Sequence, residues 1–191
     1  TGAVRGALLL NGIKWLAVEA SCTIMAMGGP APLFQANLAG MGTSGYSYGL
    51  LKDAGAKLVN PSNLQFMWAE AKTKKHFHIS KLSKSGAGIL LGGKGLLPLP
   101  DHLQEASHQR RSHIPMSNTL ADRGLDIHLL DQSNNKACVN IRTFEGKVMK
   151  IQAMAHAGNG GALIDANART NVPGLWAAGE CAGGMHGADR L

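Results

Sequence analysis

Apolar positions open the chain as short runs rather than at a helical period. Residues 4–10 and 13–19 are apolar-rich and flank Asn11-Gly12, a strong short-range hairpin signal, so two paired strands are expected there. Residues 21–27 are a third, almost wholly apolar run ending at Gly28-Gly29-Pro30, the pattern of a strand buried on both faces of a sheet. The period then changes. Tyr46, Leu50, Leu51 and Ala54 fall at helical spacing with Gly55 as a stop, which predicts a helix over 46–55. Residues 57–59 and 64–68 read as short extended pieces around Asn60-Pro61, and 70–100 has little periodicity, as an excursion or small cap would. Residues 101–123 are the best later helix candidate, with Asp101 as N-cap and Pro115 as its end or kink. Residues 127–130 read as a strand, 138–143 and 147–153 as a hairpin about Glu145-Gly146, and 162–164 and 175–178 as short apolar runs bounded by turn residues.

Composition narrows the class. Apolar residues make up 45% of the 191, enough for a packed core, so global disorder is excluded. Glycine is in excess, at 25 residues, and clusters at 28–29, 40–49, 86–95, 158–161 and 179–187. Such clusters suit a backbone that turns tightly or lies close to a ligand. No apolar run approaches the ~20 residues a bilayer span needs, and the first 30 residues lack the pattern of a secretory signal. Three separated cysteines without a CxxC pair argue against a disulfide framework and a cysteine zinc site, and fit a reducing cytoplasm. Cys22 and Cys181 read as small buried side chains. His76 and His78 lack a nearby third ligand, so no metal site is expected. The formal charge of +7 gathers largely in 72–84 and at Arg110-Arg111, which read as solvated charges; with no aromatic interleaving, no nucleic-acid partner is expected.

The densest chemical signal is 160–191. Asp165 to Thr170 reads as a turn, and Asn171-Val172-Pro173-Gly174 leads into a strand that delivers Gly179-Glu180 at its carboxyl end, where open α/β sheets bind ligands. A carboxylate there can accept hydrogen bonds from ligand hydroxyls. This segment resembles the FAD signature of the fumarate reductase, succinate dehydrogenase and L-aspartate oxidase flavoprotein family, a "GG…D…RT.VPGLYAAGE" block followed by "HGANRL". Three further stretches resemble the family in order: 23–29 its "ATGG" strand end, 43–66 its "TGDG…AGA.L…QFHP", and 156–161 its "HYTMGG".

The resemblance implies an α/β fold, with an FAD-binding, Rossmann-like sheet of the glutathione-reductase type, a β-meander and a reduced cap region. The FAD-binding part would occupy 1–69 and 147–191, and the cap 70–146. It implies FAD held by Ala26, Gly28, Gly29, Gly179, Glu180 and Leu191, and a small carboxylate substrate held by His156 and Arg190. A cap-domain arginine near His113 would donate a proton, and Arg110 and Arg111 stand nearest, with Arg111 taken as the catalytic one. Arginine suits a carboxylate because it donates two parallel hydrogen bonds. Departures are visible: Ser44 or Gly45 replaces the acid of "GDG", Met67-Trp68 replaces the histidine and proline of "QFHP", and the "TEG" substrate loop has only a glycine-rich echo in 86–95. These favour a second reading, a flavin-binding electron-transfer subunit without dicarboxylate turnover. Either reading places the chain in the cytoplasm, peripheral to the membrane through an iron–sulfur or other electron-transfer subunit. No GxGxxG follows the first strand, so a longer polypeptide carrying one upstream is expected.

Overall fold

The computed structural model describes residues 2–40, 42–92, 95–134 and 136–190. In chain order the strands and helices are β1 (Gly6–Asn11), β2 (Lys14–Glu19), β3 (Thr23–Met25), α1 (Ser47–Asp53), β4 (Leu58–Val59), β5 (Leu64–Glu70), β6 (Gly88–Leu91), β7 (Gly95–Leu97), α2 (Gln104–Gln109), α3 (Arg123–Gln132), β8 (Cys138–Arg142), β9 (Val148–Gly158), β10 (Gly161–Leu163), β11 (Leu175–Ala177) and β12 (Ala182–Gly183). Short 3₁₀ turns stand between them. The chain divides into two compact units, the first from segments 2–35, 39–64 and 157–190, the second from 36–38 and 65–156.

In the first unit, β1 and β2 pair antiparallel from Gly6 opposite Glu19 to Asn11 opposite Lys14. The tight turn falls one residue later than the Asn11-Gly12 pair predicts: Asn11 is the last paired residue of β1, and Gly12, at φ +64°, and Ile13 form the two-residue loop, glycine at the first position supplying the positive φ. Strand β3 pairs parallel with β11, and β10 lies between β12 and β4. The interior here is made of small side chains, Ala56, Ala162, Ala177, Ala182 and Cys181, around Leu51, Val172 and Leu175.

The second unit contains a five-stranded sheet in the order β5-β9-β8-β6-β7. Its core is larger: Trp68, Phe77, Ile89, Leu125, Leu129, Ile141 and Ile151 share one buried cluster. Truncating such a residue to alanine costs about 2–5 kcal/mol.

Four local readings are corrected. The helix expected over 101–123 is broken into a 3₁₀ turn (Asp101–Leu103), α2 and a second 3₁₀ turn (Arg110–Ser112), and Asp101 caps nothing with its side chain. His113 is already extended, at φ −151° and ψ 162°, so the helical run ends before Pro115, whose ring disfavours helix at Ile114 and which supplies no N–H. The strand expected over 127–130 is the middle of α3, which buries Leu125, Asp126 and Leu129. A four-residue run with three apolar residues is too short to show its period, and the buried partner Leu125 lies outside it. The run 21–27 yields only the three-residue β3, and Ile24 is 67% exposed. Burial on both faces needs a layer on each side, and among the described residues β11 is its one ladder partner. Cys22 is likewise exposed rather than buried.

Candidate functional site

The parallel pairing of β3 with β11 sets Thr23 opposite Leu175 and Met25 opposite Ala177. The ladder continues one step, with the Ala178 N–H donating to the Met25 carbonyl at 2.9 Å. Both strands therefore end together, and their carboxyl ends present Ala26-Met27-Gly28-Gly29 beside Ala178-Gly179-Glu180. Ala26, Met27, Ala178 and Gly179 are exposed. Gly179 has φ +72°, and a Cβ built on it would meet nothing within 4 Å, so open space lies over the strand ends.

Glu180 is fixed in this shelf. Its Oε1 accepts from the Gly158 N–H at 2.7 Å, and its carboxylate lies so close to Gly29 that a Cβ there would overlap it. Glycine at 29 is thus what lets the carboxylate fold inward. The second oxygen, Oε2, has capacity for a ligand hydroxyl. Around it, Ser47 Oγ donates to the Gly28 carbonyl at 2.6 Å and Tyr48 Oη to the Gly160 carbonyl at 2.5 Å. Burial pushes the Tyr48 phenol up to about 12, helped by the charge of Glu180, so it remains a donor at neutral pH. Burial also pushes up the Cys181 thiol, which donates weakly to the Met25 and Ala178 carbonyls.

Asn159 joins this shelf to the last residues: its Nδ2 donates to the Ala188 carbonyl at 2.9 Å, and its own N–H to the Asn63 carbonyl. Its Oδ1 is buried without a hydrogen-bond partner among the described residues. Asp165 and Asn171 are structural. Asp165 accepts from the Asn167 and Arg169 N–H groups, which hold its carboxyl below the ordinary range, and Asn171 bridges Gly55 and Lys57.

Ala26, Gly28, Gly29, Gly179 and Glu180 lie together at the ends of β3 and β11. Arg190 lies in the same unit, partly buried. His156 and Arg111 belong to the second unit, His156 partly buried on β9 and Arg111 exposed on a 3₁₀ turn. Leu191 lies outside the described residues. Arg110 is not a solvated charge. It is fully buried, with Nε on Asp122 and Nη2 on Asp126 at 2.5 Å each; Trp68 Nε1 also donates to Asp126, and His113 Nε2 lies 2.8 Å from Asp122. This network anchors the start of α3, whose first residue, Arg123, is exposed. Arg123 donates to the Asn118 carbonyl at 3.1 Å and lines a cavity of about 300 Å³. Sequence reasoning missed Tyr48 and Asn159, which act through contacts distant in the chain.

Among the described residues no group of three His, Cys, Asp or Glu could hold a metal, and no helix is long and apolar enough to cross a membrane. The shelf does fit a dinucleotide flavin: two adjacent parallel strand ends are open at Ala26, Met27, Ala178 and Gly179, and a fixed carboxylate keeps one acceptor for a ribityl or ribose hydroxyl.

Comparison with known proteins agrees. The chain is 27% identical over 218 aligned positions to one of the subunits of the fumarate reductase (CoM/CoB) of Methanothermobacter marburgensis, covering 100% of this chain and 39% of that one. It is 25% identical over 208 positions to an L-aspartate oxidase of Halobacterium salinarum, covering 100% and 41%. It thus spans about two fifths of the length of these relatives. Its fold is similar to that of Mycobacterium smegmatis Sdh1 in complex with UQ1, with a TM-score of 0.66 at 21% identity over 100% of this chain and 36% of that one. The FAD binding domain family matches residues 29–191. The chain belongs to that family of FAD-binding flavoproteins, whose relatives include fumarate reductase, succinate dehydrogenase and L-aspartate oxidase flavoproteins.

Proposed function

We propose that this chain is part of an FAD-dependent oxidoreductase that moves hydride or electrons between bound FAD and a small carboxylate, succinate- or fumarate-like or L-aspartate-like. The observation that carries this is the side-by-side ending of β3 and β11, which joins Gly28-Gly29 to Gly179-Glu180. Glu180 would take a cofactor hydroxyl, while Ala26, Gly28, Gly29 and Gly179 let the ligand lie against backbone; Leu191 is proposed with them from the sequence. FAD supplies the hydride exchange. This chain's residues would hold and orient the substrate. Arg190 would grip one carboxylate through a two-pronged contact, and His156 would donate to another. Arg111 or Arg123, both exposed on the second unit, would deliver the proton; Arg110, enclosed by two carboxylates, would not. The second unit would serve as the reduced cap.

A second reading, a flavin-binding electron-transfer subunit, is supported by Met67-Trp68. Trp68 is buried and bonded to Asp126, so no acid–base side chain stands there. Relatives named as subunits support an iron–sulfur or other electron-transfer partner, with the complex cytoplasmic and peripheral to a membrane. The two readings part on one experiment. After reduction by dithionite, reoxidation of the protein's flavin by fumarate that fails in R190K supports the enzyme. A flavin that fumarate leaves reduced supports the electron-transfer reading.

A further inference from the structure

One end of the second unit's sheet gathers charge that the proposed redox site does not use. The turn after β5 carries Lys72, Lys74 and Lys75, all exposed, and is tied to β9 by the Ala71 N–H donating to the Lys150 carbonyl at 2.9 Å. The turn from β8 to β9 closes with the Thr143 N–H on the Lys147 carbonyl. The segment before β6 joins the same end, since Arg142 Nε donates to the Gly86 carbonyl at 3.1 Å and Lys84 Nζ sits 3.9 Å over the Phe144 ring. Three stretches distant in sequence therefore present six lysines and one arginine together, and their acids are Glu70 and Glu145. Glu70 is engaged by Thr73 Oγ1 at 2.6 Å, and Lys147 is the one of these lysines with a carboxylate in ion-pair range among the described residues. Within the cluster, Val148 is 61% and Phe144 40% exposed.

We propose that this sheet end is a docking surface for an anionic lipid bilayer. The preference for lysine selects this partner. Protein interface cores are depleted in lysine, and nucleic acid is gripped by arginine forks and stacking aromatics. Here the one aromatic ring has a face covered by Lys84. An anionic membrane asks for undirected positive charge and a little apolar surface at the headgroup level, which Phe144 and Val148 supply. Each lysine near such a surface multiplies binding about fivefold.

Sedimentation with vesicles tests this, using phosphatidylcholine alone and phosphatidylcholine mixed with phosphatidylserine. The intact protein is expected to sediment with the mixed vesicles only, and to be released by salt. K72E/K74E/K75E should lower the partition by about a hundredfold or more, F144S by less, and K14E/K52E, in the first unit, little. Thermal melting of each variant controls for folding. Equal sedimentation with both vesicle types, or a triple variant that binds as the wild type does, would overturn the proposal. So would salt-sensitive retention of duplex DNA without vesicle binding, which would mark a nucleic-acid surface instead.

Discussion

The second unit closes its core over Trp68, Leu125, Leu129 and Ile141, each at most 2% exposed, whereas the first leaves Leu8, Trp15 and Ile24 more than 65% exposed and packs its interior around alanines. Large interlocking side chains make a close-packed core. Small side chains and glycines bring backbone close to backbone and to the surface, which is what a shelf for a flat ligand requires. The contrast separates a part built to hold shape from a part built to present main chain. It also leaves Leu8, Leu10, Ile13, Trp15 and Leu16 exposed along the β1–β2 hairpin.

The largest effect that would sharpen this contrast is D126A in the second unit. It strands Arg110 and the Trp68 N–H in the core and should cost about 3–5 kcal/mol, read from urea unfolding. A loss below about 1 kcal/mol would mean that the network is solvated and the core less closed than described. Next is G29A in the first unit. Its Cβ would push the Glu180 carboxylate away from Gly158, losing a charge-assisted bond of about 1.5–3 kcal/mol, so flavin affinity should fall more steeply than stability. The reverse order would make Gly29 a packing residue only.

Y48F removes the bond to Gly160 and should cost about 1 kcal/mol. It also carries a pH signature. The folded-state phenol titrates near 12 against an ordinary 10.0, so its contribution is complete below pH 10 and is lost as pH rises toward 12. Y48F should flatten that alkaline loss, followed by unfolding at each pH. Smallest in stability is W15K on the exposed hairpin, within about 0.5 kcal/mol. It should nevertheless lower binding of a hydrophobic dye such as ANS, and unchanged dye binding would place the apolar surface elsewhere.

Much of the first unit was legible because its signals are local. Gly12 marks the two-residue turn, though with Ile13 rather than Asn11 as its partner, the helical spacing of Leu50 and Leu51 survives in α1, and Gly28-Gly29 and Gly179-Glu180 fall at strand ends. What stayed hidden depends on partners far along the chain. Arg110 reads as a solvated charge until Asp122 and Asp126 fold onto it, and Tyr48 finds its acceptor 112 residues downstream. Residues 127–130 look like a strand because a helix that buries polar Asp126 shows no clean apolar stripe. The apolar run through Ile24 signals burial that the described residues do not supply.

The central claim is that the ends of β3 and β11, with Glu180 fixed between them, form part of a flavin site. The most direct test is the visible spectrum of the purified protein and of E180A, before and after FAD is added and excess removed. The account predicts flavin bands near ~375 and ~450 nm in the wild type and their loss in a folded E180A. A wild type that stays colourless after FAD addition, or an E180A that keeps its full flavin content, would contradict it.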